Sequence, residues 1–376
     1  MLEFLNLKPE SFGLDISDIS LKIVKLKKEG QFFDLASYIE VPLKPGIVKK
    51  GEIRKIDELA ETIKKSTKEV KGEGLATKNV VVSLPEEKAF LQVIQMPRLP
   101  EEDLKSAIIF EAENYIPLGI EEVYLDYQII SPVVNHLDHL DVLIAAFPRK
   151  VIEDYVSCLK KAGLKPTVFE IESLAIARAL IKNEGTTRPL LLIDFGATRT
   201  GFIIFSGHSL RFTFSIPVSS QNFTEIISRT LKISLPEAEK LKIKYGLENK
   251  EMKAGKEVFD ALIPSLTDLT EQIKKYLGYY LEHSSHEHLP PDGKGIEKIL
   301  ICGGGAKLKG LTEFLSSQLN LPVEIGNPWI NILPSNVQPE KEILIYEKEE
   351  SLEYTTVLGL ALRGIKNDDK PFTASK

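Results

Sequence analysis

The feature that most constrains this chain is a pattern that occurs twice. Over 190–205 an apolar run, Leu190-Leu191-Leu192-Ile193, meets Asp194, breaks at Phe195-Gly196-Ala197-Thr198-Arg199 and returns as Thr200-Gly201-Phe202-Ile203-Ile204-Phe205. About 180 residues earlier the same order stands in Phe12-Gly13-Leu14-Asp15-Ile16-Ser17-Asp18-Ile19-Ser20, followed by Leu21-Lys22-Ile23-Val24. Short β-rich runs on either side of a polar break predict a strand, a tight turn and a returning strand. Repetition at this distance predicts an internally duplicated α/β chain with one hairpin per lobe and a cleft between the lobes. Each turn carries one carboxylate where the first strand ends. Two such carboxylates facing each other can hold Mg²⁺ through water, while hydroxyls and backbone amides cradle phosphates. A lone strand-end Asp is more often a turn former. The pairing of the two hairpins is what points to a site.

A third motif, Ile299-Leu300-Ile301-Cys302-Gly303-Gly304-Gly305-Ala306, predicts a buried strand, a glycine turn and a helix start. Glycine lets a backbone pass close to a planar or phosphorylated ligand because no Cβ blocks the approach. It is neither a G-x-G-x-x-G fingerprint nor a P-loop, since no Gly-Lys-Ser/Thr follows.

With 376 residues the chain exceeds what one core usually holds, so two domains are expected. A net charge of −6 offers no broad cationic field, which argues against nucleic acid. The two cysteines, Cys158 and Cys302, lie in apolar segments and predict neither a disulfide framework nor a cysteine metal site. No run approaches the roughly 18 apolar residues of a membrane span, and the first residues lack a signal pattern, so the expected compartment is the cytoplasm without direct membrane insertion.

Periodicity divides the chain further. Segments 1–78 and 167–187 form the expected first lobe, interrupted by an α/β unit over 79–166, and 188–350 forms the second lobe. A last helix covers 351–365, and 366–376 is expected to be a disordered tail. Helices are predicted at 56–70, 104–115, 149–162, 173–182, 221–231, 235–245 and 256–281, a flexible loop at 135–141 and an irregular excursion over 331–350. His283 and His286 stand one turn apart, but no acidic or Cys partner is evident, and a solvated helix end is the expected reading.

In this order and spacing, the three motifs resemble those of the actin-like ATPase superfamily. The resemblance implies two ribonuclease-H-like lobes, with the hairpins as phosphate motifs and the glycine turn as the adenosine motif. It assigns ATP or ADP with Mg²⁺ to Asp15, Ser17, Asp18, Ser20, Lys22, Asp194, Gly196, Ala197, Thr198, Thr200, Gly303, Gly304, Gly305 and Ala306, with Asp15 and Asp194 nearest the metal. Glu239 and Lys242 fall where a helix of that superfamily reaches the nucleoside. Glu170-Ile171-Glu172-Ser173-Leu174 and Thr355-Thr356-Val357-Leu358-Gly359 are similar to its two interlobe connecting helices, which gives Glu172 the place of an acid that orients an attacking water.

Within the superfamily the chain is similar to the pilus-assembly PilM family, with the division-protein FtsA family as sibling. Glu111-Ala112-Glu113-Asn114-Tyr115-Ile116-Pro117-Leu118 resembles a PilM hallmark, and Lys366-Asn367-Asp368-Asp369-Lys370-Pro371 cannot form the membrane-targeting helix that ends FtsA-like chains. The implied protein is a platform component of a type IV pilus or related secretion machine, held at the inner membrane through partners. The implied partners are the N-terminal cytoplasmic peptide of a PilN-like inner-membrane protein, docked near Asn114, Tyr115 and Pro117, pilus motor ATPases and further copies of the chain. Departures from the motif place a Cβ at Ser17, a carboxylate at Asp18 and a threonine at Thr198, so the expected enzyme activity is at most slow ATP hydrolysis. An anion left unshielded beside a phosphate costs several kcal/mol at low dielectric unless Mg²⁺ intervenes or the side chain turns away. A small-molecule kinase and an FtsA-like filament former of the same fold are the alternatives.

Overall fold

The computed structural model describes residues 10–30, 32–130, 138–248, 251–283, 289, 293, 295–333, 345 and 348–366. Residues 135–137, most of 331–350, the tail from 367 and His286 lie outside the described residues, whereas His139–Asp141, expected in the 135–141 loop, begin a strand.

In chain order the first lobe contains β1 (Phe12–Ile16), β2 (Ser20–Glu29), β3 (Phe32–Pro42), a small hairpin of β4 (Val48–Lys49) and β5 (Glu52–Ile53), α1 (Ile56–Ser66), β6 (Lys71–Gly72) and β7 (Asn79–Leu84). Next come β8 (Phe90–Pro97), α2 (Glu101–Ala112), β9 (Val123–Ile130) and β10 (His139–Pro148), then α3 (Arg149–Lys161), β11 (Lys165–Ile171) and α4 (Glu172–Leu180). The second lobe has β12 (Leu190–Phe195), β13 (Thr200–Ser206), β14 (Ser209–Ile216), α5 (Ser220–Leu231), α6 (Leu235–Tyr245), α7 (Lys253–His283), β15 (Lys298–Cys302), α8 (Leu311–Leu319) and β16 (Val323–Ile325). A short α9 (Lys348–Ser351) and α10 (Thr355–Lys366) follow.

The duplication is written in the sheet topology. The first-lobe sheet runs β3-β2-β1-β7-β11, with β6 added at the β3 edge, and the second-lobe sheet runs β14-β13-β12-β15-β16. In both, the first three strands form an antiparallel meander and the last two pair parallel to it. Asp15 and Asp194 are each the penultimate residue of the first strand, β1 and β12. Strands this apolar are covered on both faces, as a partly parallel sheet requires. Tyr155, Leu159 and Cys158 of α3 pack with α1 onto β1 and β2, and α5 and α7 cover β12 and β13.

Strands β7 and β11, whose residues the expected 79–166 unit took in wholly or in part, belong to the six-stranded sheet, and α3 packs into the first-lobe core. The separate layer is the sheet β8-β10-β9 with α2 seated on it through Leu104, Ile108 and Ala112. It touches both lobes. Leu91 joins the second-lobe core, and Asp141 of β10 forms a buried ion pair with Arg211 of β14 at 2.5 Å.

Helix α10 docks on the first-lobe sheet and crosses α4 closely. A Cβ on Gly13 would meet the Val357 carbonyl at 2.6 Å, and one on Gly359 would meet the Ala175 carbonyl at 1.9 Å. Both glycines are therefore there for approach rather than for backbone freedom. Arg178 of α4, in a bidentate buried pair with Glu170, also donates to the Gly359 carbonyl at 3.5 Å.

Candidate functional site

The hairpin turns of the two lobes open onto one cleft of about 420 Å³. Its walls include Asp15, Ser17, Asp18, Ser20 and Lys22 from the first turn, and Asp194, Gly196, Ala197 and Thr198 from the second. Gly303, Gly304, Gly305, Glu239, Lys242 and Glu172 complete the set expected from sequence that reaches it. A wider hollow of about 710 Å³ between the end of α4 and β16 contains neither turn.

Each turn is stiffened locally. In the first, Ser17 Oγ donates to the Ser20 carbonyl at 3.0 Å and accepts from the Ser20 amide at 3.0 Å, so its hydroxyl closes the turn. Both oxygens of Asp18 accept backbone amides, from Lys50 at 2.8 Å and Gly51 at 3.0 Å. The carboxylate that threatened a bound anion is thereby turned onto the β4–β5 hairpin. In the second turn the amides of Ser220 and Gln221, at the start of α5, donate to the Gly196 and Ala197 carbonyls at 3.0 and 3.1 Å.

Asp15 is buried and accepts a 2.8 Å hydrogen bond from Ser83. Burial pushes its carboxyl above the usual range, and Lys22, opposite it across the β1–β2 ladder, pulls it back. Asp194 is pushed up to about 7, first by desolvation and then by the Glu172 carboxylate. Lys22 donates to Ser20 Oγ at 2.9 Å and pairs with Glu40 at 3.1 Å.

The Gly303 backbone, at φ +81°, lies against Asp194 itself. A Cβ there would stand 2.4 Å from Asp194 Oδ1, and one on Gly305 would stand 2.7 Å from the Phe195 ring. The turn continues as a 3₁₀ segment, Gly304–Lys307, rather than entering a helix directly; α8 begins only after Gly310.

Across the cleft, α5 and α6 hold a second polar group. Ser234 and Glu237 form a capping box that starts α6. One turn further on, Lys242 Nζ reaches the Ser220 carbonyl and Oγ at 2.9 Å, Thr224 Oγ1 at 2.7 Å and Glu239 at 2.8 Å. Desolvation lowers its pKa. All its protons have partners within the lobe.

Two expected residues do not reach the cleft. Thr200 is fully buried and donates to the Val218 carbonyl at 2.7 Å, because β13 alternation turns it inward. Ala306 is buried behind the glycine turn. Sequence reading passed over Glu40, Ser220, Gln221, Glu353 and Thr356, which reach the cleft only through folding, and also Arg199. Arg199 was legible as the one cation in the second turn. Its guanidinium pairs with Glu172 and, at 3.4 Å, with Glu87, and Glu172 also accepts the Glu86 amide at 3.3 Å. Glu172 thus serves here as an ion-pair partner.

Among the described residues no three His, Cys, Asp or Glu side chains gather as a metal-ligand set. His283 stacks on Tyr279 at 4.4 Å. Asn114, Tyr115 and Pro117 are exposed on the turn after α2, and none of them lines the cleft.

Residues 13–365 match the family model described as Type IV pilus assembly protein PilM. The chain belongs to the PilM family. A solved PilM-PilN type IV pilus biogenesis complex superposes with a TM-score of 0.77 at 28% identity, covering 95% of this chain and 98% of that one. MreB5 of Spiroplasma citri bound to ADP aligns at a TM-score of 0.56 and 13% identity, over 95% of this chain and 96% of that one, and shares the fold. The division protein FtsA of Neisseria meningitidis serogroup B is 23% identical over 226 residues, 56% of this chain and 51% of that protein. FtsA of Pseudomonas aeruginosa is 25% identical over 232 residues, 57% of this chain and 50% of its own. The chain spans about half the length of these curated relatives. Its architecture is the two-lobed actin-like fold, as the motifs implied, with the PilM family as its home and FtsA proteins as relatives. Among the described residues no helix is long and apolar enough to cross a membrane.

Proposed function

We propose that this protein is a nucleotide-binding platform component of a type IV pilus machine, taking ATP or ADP with Mg²⁺ in the interlobe cleft. The observation that carries the reading is the convergence of both turns and the glycine turn on one cleft of about 420 Å³, within the size range of small-ligand sites. The residues fit the group. Asp15 and Asp194 offer two carboxylates for a hydrated Mg²⁺, which commonly takes one or two carboxylates plus phosphate oxygens. Gly303 and Gly305 let the third motif pack flush against Asp194 and Phe195 so that it lines the cleft, and the half-exposed Glu239 offers an acceptor for a ribose hydroxyl. When bound, the metal neutralises phosphate charge in a cleft that is otherwise rich in carboxylates. The chain's own residues hold the lobes around the ligand, which stabilises whichever arrangement binds it.

The proposed partner is the N-terminal cytoplasmic peptide of a PilN-like inner-membrane protein, which would hold the platform at the inner membrane. A groove of about 390 Å³ between the β9–β10 layer and β11 supports this, with walls including Leu125, Phe147, Val168 and Phe169 and polar groups at Asp126 and Arg363. Both β9 and β11 are edge strands. We assign docking to this groove rather than to Asn114, Tyr115 and Pro117, none of which lines it.

Titration calorimetry with ATP and ADP in Mg²⁺ tests the first assignment: binding that Asp194→Ala abolishes supports it, and absence of binding to the natural chain ends it. For the groove, Leu125→Arg should abolish capture of a PilN-like peptide while nucleotide binding persists. Loss on Tyr115→Ala instead would return the site to the α2 turn.

A further inference from the structure

The charge arrangement of the cleft holds one group that the nucleotide reading leaves idle. Asp15, Asp194, Glu172, Lys22 and Arg199 act on one another electrostatically. Of the two cations, Lys22 lies along β2 beside Ser20 and Glu40. Arg199 stands on the second turn, with its side chain 22% exposed, and reaches over to the first lobe. There it meets Glu172 at the head of α4 and Glu87 in the 3₁₀ turn that follows β7. The pair with Glu172 is the main reason the guanidinium is held more firmly charged than usual.

The backbone under Arg199 is fixed, because Gly196 donates to the Arg199 carbonyl at 3.0 Å and the first amides of α5 hold Gly196 and Ala197. What can move is the side chain. A guanidinium forks equally well onto a carboxylate or a phosphate, and the two terminal nitrogens of Arg199 are already divided between Glu87 and Glu172, so taking a phosphate bidentately means giving up one of those carboxylates.

We propose that Arg199 is an interlobe tie that is exchanged for the ligand's terminal phosphate, making it the residue that distinguishes a nucleoside triphosphate from a diphosphate. Without a third phosphate the tie stays on Glu172 and Glu87 and bridges the lobes directly. With one, the guanidinium leaves Glu172 for the phosphate, and that carboxylate is left facing the cleft. A ligand shifts such an equilibrium only by its differential affinity for the two states, and the terminal phosphate supplies that difference.

The inference rests on the nucleotide reading above, and the test separates the two. ATP and ADP affinities are measured by calorimetry in Mg²⁺ for the natural chain and for Arg199→Ala, Arg199→Lys and Glu172→Gln, with circular dichroism to show that each is folded. A charge-assisted hydrogen bond predicts that Arg199→Ala weakens ATP binding by about 10- to 100-fold, while ADP changes little. Arg199→Lys should recover part of the loss. Glu172→Gln removes the competitor and keeps the guanidinium, so ATP should bind several-fold tighter while ADP again changes little. These opposite signs are not expected if Arg199 merely braces the cleft. If the natural chain binds both nucleotides and Arg199→Ala alters them equally, or Glu172→Gln weakens ATP, the tie is refuted and the nucleotide site stands. If the natural chain binds neither, both readings fall.

Discussion

Replacing Gly359 by Ala sets helix propensity against tertiary packing. In an exposed helix interior this change is favourable by about 0.5–1 kcal/mol, because glycine loses more backbone entropy on folding. At Gly359 the new Cβ would lie 1.9 Å from the Ala175 carbonyl oxygen and 2.6 Å from its carbon, with backbone on the receiving side and no flexible side chain to yield. Helices α4 and α10 would have to part by about an ångström. That disturbs the packing of Ala175 and Leu360 on Val81 and stretches the 3.5 Å hydrogen bond from Arg178 to the Gly359 carbonyl. Overpacking in a well-filled core typically costs about 1–3 kcal/mol. A Cβ driven against fixed backbone belongs at or above the upper end, so the net effect should be a loss of about 2 kcal/mol or more. The control is Gly278→Ala in α7, where a Cβ meets nothing within 4 Å and the propensity gain should appear undiminished. Differential scanning calorimetry should show Gly359→Ala melting several degrees below the natural chain and Gly278→Ala slightly above it. Equal or higher melting for Gly359→Ala would refute the close crossing and with it the account of how α10 is seated.

Gly303→Ala combines a φ of +81° with a Cβ 2.4 Å from Asp194 Oδ1, so it should weaken Mg²⁺-nucleotide binding at least tenfold by calorimetry; unchanged affinity would contradict the contact. Asp126 is held up at about 7 by burial, so the folded chain keeps a proton that the unfolded chain has released, and stability falls as pH rises from about 4 to 7. Asp126→Asn removes that loss, which solvent screening of the part-exposed carboxyl keeps well below the roughly 4 kcal/mol of the undiscounted shift. Its melting advantage should be larger at pH 8 than at pH 4, and a reversed trend would refute the assignment. Breaking the buried Asp141–Arg211 pair by Arg211→Ala should cost about 3–5 kcal/mol in chemical denaturation, because the buried carboxylate then keeps only the His139 imidazole, 3.6 Å away. Asp141→Leu with Arg211→Met should cost clearly less than the single change.

Much of the site was legible in one dimension because its parts are local. A strand, a carboxylate and a tight turn are neighbours in sequence, and repeating them at Asp15 and Asp194 exposes the duplication that the sheets then display strand for strand. Glu239 and Lys242 were reached through the resemblance to a superfamily helix, and the structure adds the Ser234–Glu237 capping box that starts it. What only the tertiary structure decided are partnerships between distant segments. Asp18 is turned onto the amides of Lys50 and Gly51, β7 joins β1 in the first-lobe sheet, and Lys242 is spent on Ser220 and Thr224. Arg199 finds Glu172 and Glu87 across the cleft by the same kind of meeting. Side-chain period and turn chemistry act over a few residues, whereas which carboxylate a given cation meets depends on how the two sheets are brought together.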